Sequence, residues 1–193
     1  MLYEGTDQRY PLCFIHIPKT GGRSIAHYVR SNKLDVALNG HNRRLMRPNQ
    51  QHYNFTVVRH PYTRYVSAIN YALATKEAQE ALVRALFTSF NYIMTLDLVD
   101  IFSEGFIQNM NIFGRQSDFT KHITLDKIYK YEDGLEQITL DLQNTLGFVE
   151  VDPLKRINVS SVTYTVGMLT RRHKDALNQW YAEDFSLFNY TQE

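Results

Sequence analysis

Apolar and polar positions follow several distinct periods along the chain, and each change of period marks an element. Residues 12–17, Leu12-Cys13-Phe14-Ile15-His16-Ile17, form a nearly unbroken apolar run with the composition of a buried strand. Over 24–30 the spacing becomes helical, with Ile25, Tyr28 and Val29 on one face. A short strand is predicted over 34–38, ending at Asn39-Gly40-His41, and the basic stretch 42–51 reads as a loop. A third strand follows over 54–58. Pro61 then suits the first turn of a helix whose Tyr65, Ile69 and Leu73 share one face. Residues 75–113 read as mostly helical with breaks near Asn91 and Gly105, and 128–131 as a fourth buried strand. A helix over 135–146 stops at Gly147, a loop covers 153–166, a helix covers 170–182, and an aromatic tail runs through 185–190. Strands alternating with helices predict an α/β fold, a parallel sheet of about four to five strands covered on both faces.

In such sheets ligands bind beyond the carboxyl ends of the strands, so the joints after each strand carry the chemistry. The first joint is Pro18-Lys19-Thr20-Gly21-Gly22-Arg23-Ser24. Glycines between a strand and a helix leave backbone N–H groups and the positive end of the helix dipole facing one spot, which suits phosphate. Lys19 adds a full charge there, and Thr20 and Ser24 add hydroxyls. The lysine precedes the glycines, whereas the triphosphate loop G-x-x-x-x-G-K-[ST] has it after them, so a triphosphate-hydrolysing site is disfavoured while phosphate binding is not. The plainer alternative is a strand-turn-helix joint with an incidental lysine.

The third joint, Arg59-His60-Pro61-Tyr62-Thr63-Arg64-Tyr65-Val66-Ser67, offers two forked cations and a hydroxyl, with Ser67 one helical turn after Arg64. It reads as a second anion site, against the alternative of arginines in surface ion pairs. Two such sites on neighbouring strand ends suggest a ligand with two separated phosphates. His41 follows the second strand and falls on the same edge.

Composition narrows the classes. At 193 residues and 44% hydrophobic content the chain suits one domain, 1–193. A formal charge of +1 argues against a protein that coats nucleic acid. Cys13 is the only cysteine, so no internal disulfide forms, and it reads as a space filler in the first strand. With no signal-peptide pattern and no membrane-length apolar run, the expectation is a soluble, cytoplasmic chain with no membrane partner. No two histidines stand four apart on a helix, so no metal site is expected.

The two joint segments resemble the sulfotransferases that use 3'-phosphoadenosine 5'-phosphosulfate. Residues 18–24 match that family's P-K-[TS]-G-[GST]-x-S loop, and residues 59–67 match its R-[DH]-P-x-x-R-x-x-S segment. Tyr131-Glu132-Asp133, Asn158-Val159-Ser160 and Tyr181-Ala182-Glu183-Asp184-Phe185 are further echoes. Gly40-His41, lying between the two motifs, is similar to the glycan O-sulfotransferase branch, the heparan 2-O- and chondroitin-type enzymes. Arg23 stands where those enzymes often have threonine, and His60 where aspartate is common.

The resemblance implies a three-layer, P-loop-like domain that moves a sulfuryl group from this donor to a hydroxyl, with a carbohydrate as acceptor and adenosine 3',5'-bisphosphate as product. By the same resemblance Lys19, Thr20, Gly21, Gly22, Arg23 and Ser24 hold the 5'-phosphosulfate, and Arg59 and Ser67 hold the 3'-phosphate with Arg64 as a further partner. Asn158, with Lys155 and Arg156, is in place to close over the nucleotide. Transfer needs a base, positive charge on the departing oxygen and in-line alignment. Lys19 is the candidate for the charge, which leaves no need for a metal. His41 is the candidate base, with Glu132 second, its alternative roles being to orient Lys19 or cap the following helix. His16 reads as a packing or capping residue, and His60 as structural or at the 3'-phosphate edge. Gln108 and Asn109 are candidate acceptor contacts. The competing readings are a nucleotide kinase-like phosphotransferase and a non-catalytic nucleotide-binding module.

Overall fold

The computed structural model describes residues 12–39, 53–76, 80, 110–147, 152–155, 157 and 164–193. The chain divides into two compact units, Met1–Arg59 with Asp118–Asn158, and His60–Ser117 with Val159–Glu193.

The first unit is built on four parallel strands, β1 (Leu12–Ile15), β2 (Val36–Asn39), β3 (Tyr53–Val58) and β4 (Lys127–Lys130), in the order β2-β1-β3-β4. Ile15 pairs with both Asn39 and Thr56, so β1 and β2 end level and β3 runs two residues further. That register carries the chain after Ile15 and the chain after Val58 out on the same edge. Thr56 Oγ1 donates to the Ile15 carbonyl at 2.8 Å and pins the register where it matters most.

One face of the sheet presents Leu12, Phe14, Val36, Phe55 and Val57 to two helices, α1 (Gly22–Ser31) and, numbered in chain order, α4 (Glu136–Leu146). Ile25, Tyr28 and Val29 of α1 and Ile138 and Leu142 of α4 complete this cluster. On the other face Cys13, Ile15, Thr56 and Val58 are also buried. Burial of both faces is why these strands read as continuous apolar runs rather than alternating ones. The Cys13 thiol is pushed up by its burial.

Two expectations are corrected. Leu34 does not open the second strand. It follows Lys33, which is left-handed at φ 50°, and its N–H donates to the Val29 carbonyl at 2.9 Å while Lys33 N–H donates to Arg30 at 3.1 Å. This is the Schellman closure of α1, with Leu34 and Val29 packed in one cluster. β4 is not a buried strand either. It stands at the end of the sheet with Lys127 and Ile128 exposed, the latter at 43%. Tyr129 turns inward, edge-on to Phe55 at 6.2 Å between ring centroids.

The second unit contains α2 (Pro61–Ala74), α5 (Arg171–Trp180) and α6 (Ala182–Leu187), around Tyr62, Tyr65, Ile69, Phe113, Leu177, Tyr181 and Phe185. Its caps are local. His60 Nδ1 accepts from Tyr62 N–H at 3.3 Å with Pro61 at the first turn of α2, and Thr170 caps α5 in a reciprocal box with His173. A one-turn helix, α3 (Ser117–Thr120), starts where the Asp184 carboxylate accepts from Gln116 and Ser117 N–H, each at 2.8 Å. Burial pushes that carboxyl up, against the pull of Arg64 and these donors. The helices expected across most of 75–113, with Gln108 and Asn109, lie outside the described residues. Among those described, no helix is long and apolar enough to cross a membrane.

Lys33→Gly tests the closure of α1. Removing the side chain from a left-handed position is expected to stabilise the chain by about 0.5–1 kcal/mol, read as a rise in the urea midpoint at unchanged slope.

Candidate anion-binding site

Between β1 and α1 the chain turns within a few residues. Lys19 is left-handed at φ 70°, and Gly21, the N-cap of α1, is left-handed at φ 86°. The Gly21 carbonyl accepts from Ser24 N–H at 2.9 Å, starting the helix at once. A helix's first N–H groups have no acceptor inside the helix, and the first turn of α1 carries no acidic residue to satisfy or offset them. The result is a concave stretch of backbone with a positive end, the geometry that takes an anion.

Packing explains both glycines. A Cβ on Gly22 would sit 2.0 Å from His16 Cδ2, so the imidazole, stacked on Phe14 at 5.6 Å, lies directly against the helix start. A Cβ on Gly21 would sit 2.9 Å from Leu135 Cδ1 and 3.1 Å from the Tyr131 ring. His16 thus packs against the start of α1. Thr20 is fully buried and spends its hydroxyl proton on the Ile17 carbonyl at 2.9 Å, closing the turn from inside. Ser24 is buried with its Oγ accepting from Ile157 N–H at 3.1 Å. Arg23 is exposed on the first turn of α1, and the Lys19 side chain is half-buried.

Arg59, at the end of β3, reaches this turn. Its Nη1 donates to the Lys19 carbonyl at 3.3 Å, and its guanidinium lies over the Tyr131 ring at 4.3 Å. One aromatic ring therefore supports the arginine and backs Gly21 at the same time. The structure brings together Lys19, Thr20, Gly21, Gly22, Ser24 and Arg59 of the expected site, with Glu132 exposed in the 3-10 turn Tyr131–Asp133. Tyr131 and Leu135 were not singled out for this role. The signal available was the aromatic that ends the fourth strand run.

Arg64 and Ser67 belong to the second unit. Arg64, which a surface reading would turn outward, is fully buried, with Nη2 donating to the Gly114 carbonyl at 2.6 Å and the Tyr181 ring 5.8 Å from its guanidinium carbon. Ser67 is half-buried on α2. His60 closes the base of α2 and its Nε2 donates to the Thr191 carbonyl at 3.2 Å. Gly40, His41, Arg156 and Asn158 lie outside the described residues. Among those described, no cluster of three or more His, Cys, Asp or Glu residues is arranged to hold a metal ion.

A glycine turn at the start of the first helix, on the carboxyl edge of a parallel sheet flanked by helices, defines an α/β fold of the P-loop-like kind. A family model described as the sulfotransferase family matches residues 5–191, running through both units, and the chain belongs to that family. No curated protein and no solved structure matches it.

Gly22→Ala is expected to force the His16 ring from its place, costing about 1–3 kcal/mol and most of the anion binding. Adding His16→Ala should recover part of the stability. Gly167→Ala, where the nearest atom to the new Cβ is Thr165 Oγ1 at 3.9 Å, should change neither property in thermal melts and binding titrations.

Proposed function

We propose that this sulfotransferase takes its sulfuryl group from 3'-phosphoadenosine 5'-phosphosulfate and delivers it to a hydroxyl on a carbohydrate. The observation that carries the donor assignment is the Arg59 guanidinium on the Lys19 carbonyl, which joins the first residue of the second motif to the turn of the first. A donor with phosphate-type groups at both its 5' and 3' positions needs cations of this kind in a fixed relation.

In this reading the α1 N-terminus, Lys19, Ser24 and the backbone of Gly21 and Gly22 hold the 5'-phosphosulfate. Arg59 and Ser67 bind the 3'-phosphate. Arg64 supports the arginine-serine segment through its buried bond to Gly114, and Asn158 closes over the nucleotide. His41 removes the acceptor hydroxyl proton as the oxygen attacks sulfur. The bond from sulfur to the 5'-phosphate oxygen breaks, and adenosine 3',5'-bisphosphate leaves with Lys19 neutralising the charge that gathers on that oxygen. Because the charge comes from lysine and helix dipole, the step calls for no metal. Glu132, exposed after β4, is the reserve candidate for the base.

Titration with adenosine 3',5'-bisphosphate and with AMP tests the donor. The bisphosphate should bind at least about tenfold more tightly, one added charge-assisted phosphate contact being of that order. Equal affinities, or magnesium-dependent turnover of ATP, would overturn the assignment. Arg59→Ala should erase most of the preference for the bisphosphate. His41→Ala should lower turnover by about 10²–10⁴ while leaving bisphosphate affinity nearly unchanged, measured once an acceptor sugar has been found by screening.

A further inference from the structure

After α4 the chain returns to α1 and is fastened to it at both ends. Asn32, the C-cap of α1, accepts from Asp152 N–H through Oδ1 at 2.7 Å and donates to the Asp152 carbonyl through Nδ2 at 3.4 Å. The same amide donates to the Tyr28 carbonyl at 3.0 Å, which keeps the side chain aimed. At the other end of the helix, Ile157 N–H donates to Ser24 Oγ at 3.1 Å. Between these points Leu154 packs into the cluster that α1 shares with the sheet.

The lengths bound the slack. From Ser24 to Asn32 the helix rises about 12 Å at 1.5 Å per residue. Five residue steps from Asp152 to Ile157 reach at most about 16–18 Å when extended. Asp152 is held at the Asn32 end and Ile157 at the Ser24 end, so the strap between these anchors runs antiparallel to α1. Pro153 stiffens it, since the residue before a proline is held away from helical backbone and the proline fixes its own φ. A change at the Asn32 end is then felt at the Ile157 end.

What it is felt by is a cradle residue. A serine oxygen that accepts a hydrogen bond directs its own proton away from that donor, and accepting strengthens its donation. We infer that Asn32 is a positioning residue for the cradle: by pinning the strap it sets Ile157 N–H on Ser24 Oγ, and so aims the Ser24 hydroxyl at the bound anion. This deepens the reading that the cradle holds the 5' end of the donor, and it rests on that reading.

The test is a double-mutant cycle in the full chain, with adenosine 3',5'-bisphosphate as probe by calorimetry and Ile157 amide exchange by NMR. Asn32→Ala and Ser24→Ala should each weaken binding about three- to tenfold, the range of one lost hydrogen bond, and the double variant should bind no more weakly than Ser24→Ala alone. Ile157 exchange should accelerate in both single variants. Additive losses, wild-type affinity in Asn32→Ala, or unchanged Ile157 exchange would each overturn the inference. Should Asn32→Ala fail to fold, Asn32→Gly, which also removes both bonds to Asp152 and suits a helix C-cap, replaces it, and faster Ile157 exchange with coupled loss is again required. Should the wild type not bind the bisphosphate, the donor reading falls, and the cycle is read with inorganic pyrophosphate, where coupled losses uphold the inference and additive losses or no binding end it.

Discussion

The contact on which the rest depends is the close approach of the His16 imidazole to the first residue of α1. Only a glycine at position 22 permits it. Because the ring lies there, the helix begins hard against the end of β1, at the carboxyl edge of the sheet. The second glycine extends the same logic to the other flank. Gly21 admits Leu135 and Tyr131, and the tyrosine then becomes the platform for Arg59. Two missing side chains thus set the helix start and an arginine beside the same turn.

The cradle is built from inward-facing polar groups as much as from outward ones. Thr20 looks like a ligand donor in the sequence, yet its hydroxyl closes the turn on Ile17. That bond keeps Lys19 in a left-handed conformation that a lysine does not favour by itself, a cost of about 1–2 kcal/mol met by the surrounding packing. A full charge and a strained backbone therefore meet in one residue at the turn between β1 and α1.

How far the sequence could be read follows from which interactions are local. The parallel sheet, the glycine joint and the two motif segments were legible because strand composition, helical period and turn residues are properties of short windows. Leu34 was misplaced because an apolar residue that closes a helix through a Schellman turn looks, in a window, like the start of a strand. β4 was misjudged because Ile128 and Tyr129 are apolar neighbours whose alternation sends one of them outward at the sheet's end. The partners of Tyr131 and His16 and the strap on α1 were not legible, since each contact joins residues that only the folded sheet brings together. The family assignment supports sulfuryl transfer in general, and the acceptor lies beyond any local pattern.

Cys13 gives this arrangement a natural clock. Its thiol lies in the middle of β1, buried among the sheet residues, and burial holds it in the unreactive protonated form. Alkylating reagents therefore reach it only when the strand leading into the cradle detaches. The labelling rate of this sole cysteine counts those openings without any engineered probe, and a ligand gripping the start of α1 slows the count by the factor with which it is bound.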